Sequence, residues 1–210
     1  MKVLRSTKAF TLIELLVVIS IIGILAGFAI PAVSGALVRA QMAGTLSNAR
    51  QLHLATFSIN IENETAGLPG IWPGTPAVNN VGGTEDLNAY IAALGMNFND
   101  LQRLLSAPKV TATVTSGAGN IATGASGTAF KFYEIGGPTV PDDGTLVFVS
   151  TQNITITPGV STVDDTVNPY GAAGGVIFRK AGSGEALKKS IIENLQYQAS
   201  IPTTQPATFF

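Results

Sequence analysis

Phe10-Thr11-Leu12-Ile13-Glu14-Leu15-Leu16-Val17-Val18-Ile19-Ser20-Ile21-Ile22-Gly23-Ile24-Leu25-Ala26-Gly27-Phe28-Ala29-Ile30 is an apolar run holding a single ionisable residue, Glu14. At about 1.5 Å per residue a helix of this length reaches roughly 31 Å, the hydrocarbon thickness of a bilayer. The nine residues before it carry Lys2, Arg5 and Lys8 and no acid. Basic residues on that side alone predict a cytoplasmic N-terminus and a chain that crosses outward. A secretory signal peptide cut near Ala36 is the competing reading, but an h-region runs only about 7 to 15 residues. A peptide destined for removal also needs no carboxylate, whereas a retained membrane helix keeps one only with a partner. The next basic residue along the chain is Arg39, well over a bilayer's thickness away.

Composition agrees with one anchor and one modest folded domain. About 150 residues follow the helix, an ordinary single-domain size. Removing the leader's three bases takes the formal charge from −1 to −4, so no basic patch remains for nucleic acid. The chain has no cysteine, which excludes disulfides, thiol catalysis and thiolate metal sites.

The helix is expected to continue beyond the membrane to about residue 60, since 32–60 lacks proline and is rich in Ala, Leu and Gln. Val33, Leu37, Leu46, Leu52 and Phe57 form no clean stripe, so its second half is expected to pack on the head over only part of its length. Small residues recur every fourth position (Gly23, Gly27, Pro31, Gly35, and Ala32, Ala36, Ala40, Gly44), a spacing that lets helix backbones approach closely. The alternative is chance in a Gly- and Ala-rich chain. Pro31 lacks a backbone donor and crowds the preceding turn, predicting a kink or local melting.

Residues 62–76 read as a loop punctuated by Gly and Pro. A short helix is expected from Thr84-Glu85-Asp86 to Leu94, with Gly95 past its end, and a second one capped by Asn99 with Gln102 and stopped at Pro108. Strands are expected at 110–115, 128–135, 145–151, 153–157 and 175–180, forming an antiparallel sheet whose more apolar face covers the helix. Residues 186–196 fit a helix through Leu187, Ile191 and Leu195 or an edge strand through Ile191-Ile192. The tail from Ile201, with Pro202 and Pro206, is expected to be loose. The fold class is therefore α+β.

Candidate chemistry is sparse. Gly117 to Ala122 matches a dinucleotide fingerprint in letters, yet residues 123–127 cannot open the helix that motif requires. His53, the only histidine, would have to serve any Ser-His-Asp triad, but on the long helix it reads as an exposed or packed surface residue. Asp142, Asp143, Asp164 and Asp165 could gather around calcium, an ion that takes several oxygen ligands, but turn-forming aspartates are the favoured reading. No other cofactor is indicated, and the chain does not read as an enzyme.

The segment Lys8-Ala9-Phe10-Thr11-Leu12-Ile13-Glu14-Leu15-Leu16-Val17-Val18-Ile19 resembles the N-terminal signature of type IV prepilins and of the pseudopilins of type II secretion, over Lys8 to Pro31. The resemblance implies cleavage between Ala9 and Phe10 by a prepilin peptidase, with methylation of the new terminus; Ala9 stands where the family usually has Gly. It also implies pairing of the Phe10 amine with Glu14 of a neighbouring subunit. The expected organisation is a leader (1–9), a membrane and filament-core helix (10–30), its extracytoplasmic continuation (31–62) and an α+β head (63–210). The resemblance further implies a bacterial inner-membrane location with the head in the periplasm, and partners that are other pilin-like subunits, the peptidase, an inner-membrane assembly platform and the lipid bilayer. The expected function is a subunit of a type II secretion pseudopilus. The alternatives are a type IV pilus subunit and, from a different class, an anchored module whose head binds polysaccharide.

Overall fold

The computed structural model describes residues 10–75, 78, 87–136, 140 and 143–204. Helix α1 spans Leu12–Thr65. Its end is chemically marked: Gly67 takes the left-handed conformation (φ +71°), and Leu68 N donates to Asn63 O at 2.8 Å. This six-to-one bond is the closure that a glycine just past a helix permits. The backbone stays helical through position 31, so the expected local melting at Pro31 is not seen. The chain divides into two units, the first ending at Arg39 and the second starting at Ala40.

In the first unit nearly every described side chain of α1 is exposed. The helix here satisfies its own backbone and buries almost nothing within the chain. Ser20 follows the same economy, its hydroxyl donating to Leu16 O at 2.8 Å.

In the second unit, α1 buries Met42, Thr45, Ala49, Leu52, His53 and Thr56, a stripe at helical spacing. Half of that stripe is polar, which is why no clean apolar pattern is visible in the sequence. Two short helices follow: α2, Leu87–Leu94, closed by Gly95 at φ +57°, and α3, Phe98–Leu105. The cap of α3 is Asn97 rather than the expected Asn99, its side chain accepting from Asn99 N at 3.0 Å. Gln102 donates instead to Ala112 O at 3.2 Å. The expected start of α2 at Thr84-Glu85-Asp86 lies outside the described residues.

The strands are β1 (Thr113–Ser116), β2 (Ala122–Ser126), β3 (Phe130–Phe132), β4 (Val147–Thr151), β5 (Ile154–Thr157), β6 (Val160–Val163), β7 (Gly175–Arg179) and β8 (Gly184–Leu187). They form three antiparallel sheets rather than one: β1-β2, β3-β4-β7-β8 and β5-β6. Lys131 pairs with Ser150, Ser150 with Ile177, and Ile177 with Glu185, which fixes the register of the four-stranded sheet. Every residue of β4 is buried because both sheet faces are covered. Phe130, Phe132, Phe148 and Phe178 pack with Leu52 of α1 and with α2 and α3. On the other side Tyr133, Val147 and Ile177 pack with Ile154, Ile156, Val163, Ile192 and Ile201.

The ambiguous stretch resolves into three elements. Strand β8 ends at Leu187, and helices α4 (Lys189–Ile192) and α5 (Leu195–Gln198) come after it. Nor is the tail loose at its start: Ile201 is 2% exposed, and Pro202 O accepts from Gly159 N at 3.3 Å. Pro206 lies outside the described residues.

Candidate functional site

The N-terminus of α1 is closed by reciprocal bonds between two side chains. Thr11 precedes the first helical residue, and its backbone N donates to Glu14 Oε2 at 2.8 Å while its hydroxyl donates to the same oxygen at 2.6 Å. Glu14 N in turn lies 3.4 Å from Thr11 Oγ1. A threonine at the cap and a glutamate three residues on satisfy two otherwise orphaned helix donors, the arrangement of a capping box. The carboxylate thus folds back toward the start of the helix and is hydrogen-bonded within its own chain. Thr11 is not among the site residues expected from the sequence, although Thr-x-x-Glu before an apolar run is the signal for this motif.

Phe10 stands one residue outside the box and is 76% exposed. Beyond it Leu12, Ile13, Leu15, Leu16, Val17, Val18 and Ile19 are all open to the surroundings. This is the one described helix long and apolar enough to cross a membrane, with a mean hydropathy of 2.7 in its most apolar window. An added Cβ at Gly23, Gly27, Gly35 or Gly44 would meet nothing within 4 Å, so the glycines of the small-residue rows are open surface in the single chain. Pro31 lies within the helix, whereas Ala9 and the leader fall outside the described residues.

The aspartates are engaged locally. Asp143 Oδ1 accepts from Thr145 N and Oγ1, both at 2.8 Å, and Asp164 Oδ1 accepts from Thr166 N at 2.9 Å and Oγ1 at 2.7 Å. These bonds hold both carboxyls below their ordinary range. Asp165 accepts from Lys189 Nζ at 2.7 Å. Asp142 lies outside the described residues, and among those described no three Asp, Glu or His side chains gather around a common point.

His53 is the packed rather than the exposed form of the histidine expected on the long helix. It is 6% exposed, its Nε2 lies 2.7 Å from Lys180 O, and Phe57, Trp72, Phe148 and Phe178 surround its ring. The Gly117–Ala122 stretch is the turn between β1 and β2, with Gly117 N donating to Ile121 O at 2.8 Å, and it leads into a strand where the fingerprint would need a helix.

The Thr11–Glu14 closure and the exposed apolar run after it fall within the part of the chain that matches a known family. A family described as the prokaryotic N-terminal methylation motif matches residues 4–30. The chain is type IV prepilin-like. The prepilin-like chain is also 40% identical over 86 residues to a type IV major fimbrial protein FimA of Dichelobacter nodosus, covering 41% of this chain and 51% of that protein. A second FimA of the same organism is 35% identical over 92 residues, covering 42% and 59%, and a protein named fimbrial protein is 38% identical over 86 residues, covering 41% and 51%. The chain spans about half the length of the curated relatives it matches. No solved structure matches it.

Proposed function

We propose that the chain is a structural subunit of a type IV pilus, processed between Ala9 and Phe10 and polymerised through α1. The observation that carries this reading is the exposure of the apolar surface of α1 from Phe10 to Ile30, on every side of the helix. Such a surface is stable only under lipid or under copies of the same helix. Its two coverings correspond to two states, a subunit stored in the inner membrane and a subunit built into a filament. The relatives named as major fimbrial proteins favour a pilus over a type II secretion pseudopilus. In this role the chain is a structural protein and not an enzyme. Its partners are further pilin-like subunits, a prepilin peptidase, the assembly platform and the bilayer, with the head on the periplasmic side.

Mass spectrometry of the membrane-extracted protein is expected to find Phe10, methylated on its amine, as the N-terminus. An N-terminus near Ala36 would overturn the prepilin reading. Deleting the gene in its native host is expected to remove surface fibres while leaving secreted enzymes in the medium. Loss of secretion with fibres retained would return the chain to the pseudopilus class.

A further inference from the structure

Within the second unit, a cleft of about 610 Å³ opens among β7, β8, α4 and α5. Its size falls in the range of small-molecule sites, roughly 300 to 1,000 Å³. One cation and one anion line it, Arg179 and Glu185, together with the uncharged polar side chains of Ser190 and Gln196. Ile191 adds an apolar patch to the same wall and is 45% exposed. Tyr197 lines it too, and its hydroxyl is sealed from solvent and makes no well-formed hydrogen bond among the described residues, although Arg179 and Glu185 stand beside it. Burial pushes that phenol up to about 12, with Arg179 and Glu185 acting on it in opposite directions, so it carries its proton at neutral pH. A buried hydroxyl proton without an acceptor is rare in native folds and calls for an explanation.

We propose that this cleft binds a neutral oligosaccharide. The charge pattern decides among ligand classes. An anion would meet Glu185 beside the only cation of the lining, and that cation is already engaged: Arg179 Nη1 donates to Thr145 O at 2.7 Å, and Nη2 to Ser200 Oγ at 3.2 Å. Two of its five N–H donors are thereby committed, so the guanidinium presents less than the free fork that makes arginine an anion receptor. A cationic ligand would meet Arg179, and an apolar one would strip water from the polar side chains of the wall without replacing its bonds. A sugar replaces that water hydroxyl for hydroxyl and lays its C–H face on Ile191. The missing acceptor for Tyr197 comes from an entering sugar oxygen, or from the Glu185 carboxylate drawn inward by the bound sugar. This inference stands on the head alone and does not need the filament reading.

The test uses the full chain in detergent and saturation-transfer NMR against maltotriose, chitotriose, mannotriose and lactose, with sialyllactose and diglycine as charged comparators. Binding of at least one neutral sugar is expected, with neither comparator preferred. Glu185→Ala and Tyr197→Phe are each expected to weaken it at least about fivefold, the weight of one hydrogen bond. Because the Tyr197 hydroxyl makes no well-formed hydrogen bond among the described residues, Tyr197→Phe leaves the melting temperature unchanged or higher, which separates binding from folding. No saturation of any neutral sugar, a preference for sialyllactose or diglycine, or equal binding by both variants would overturn the proposal.

Discussion

The hydroxyl of Tyr90 lies 2.6 Å from that of Thr56, and both side chains are fully buried. Thr56 Oγ1 already donates its hydrogen to Leu52 O at 2.8 Å, so the shared proton belongs to Tyr90. The pair ties α2 to the head half of α1. Removing the donor and removing the acceptor are therefore unequal. Tyr90→Phe is expected to destabilise the head by about 1 kcal/mol, one net hydrogen bond. Thr56→Val takes the acceptor away from a buried phenol and is expected to lose more, about 1 to 3 kcal/mol. Urea unfolding of the two single variants and the double variant checks this, the double being less destabilised than the sum.

The same pair shows what was legible in the sequence. The long helix, the strands rich in Phe and Val, and the apolar run from Phe10 to Ile30 declare themselves through run length and β-branched content. The face of α1 that meets the head does not, because Thr45, His53 and Thr56 sit on it with partners supplied from far along the chain: Tyr170, Lys180 and Tyr90. Strands β2 (ATGAS) and β8 (GEAL) are invisible for a related reason. Their residues have weak strand preference and are held by neighbours, Ala125 N donating to Asn88 Oδ1 at 3.1 Å and Glu185 pairing with Ile177. At the N-terminus the order is reversed: Thr11 and Glu14 are three apart, so the capping box is local and could have been read directly.

Asp143 and Asp164 set an acid response. Their carboxyls are held below the ordinary range chiefly by bonds from Thr145 and Thr166. A depressed folded value means that their contribution is complete above the unfolded carboxylate range and is lost as pH falls through the folded one. The head is therefore expected to melt at progressively lower temperature below about pH 4, starting from the ordinary Asp range. Asp143→Asn with Asp164→Asn is expected to flatten that dependence. Since each carboxylate closes its own turn, chelator is expected to leave the melting temperature unchanged, and a rise on adding calcium would restore the calcium reading.

Pro31 offers no N–H to the carbonyl one turn back, although the helix runs through it. Pro31→Ala supplies that bond and removes a penalty of about 3 kcal/mol in a helix interior. Circular dichroism in detergent is expected to show a more stable N-terminal helix with the head's melting transition unmoved. Filament yield is expected to change more than head stability. Equal yields from both proteins would remove position 31 from assembly.

Glu14 allows its two possible duties to be separated. One duty is local: the carboxylate closes the capping box on Thr11 at 2.8 and 2.6 Å. The other is the proposed pairing with the Phe10 amine of a neighbouring subunit, which requires adjacent helices staggered by about four residues, roughly 6 Å. Glutamine serves at the third position of a capping box as well as glutamate does, but it carries no charge. Glu14→Gln therefore keeps the helix start and discards the ion pair, while Glu14→Ala discards both. A filament core excludes water, and an amine that has lost its counter-charge there is heavily penalised. Both variants are expected to insert in the membrane and to be cleaved at Phe10, because neither duty involves the leader. Both are expected to fail in assembly, seen as loss of sheared fibres with subunit retained in the membrane fraction. Thr11→Val, which breaks the box but keeps the charge, is expected to assemble. Fibres from Glu14→Gln at the parental level, with none from Thr11→Val, would assign Glu14 to the capping box alone and remove the charge from the assembly mechanism.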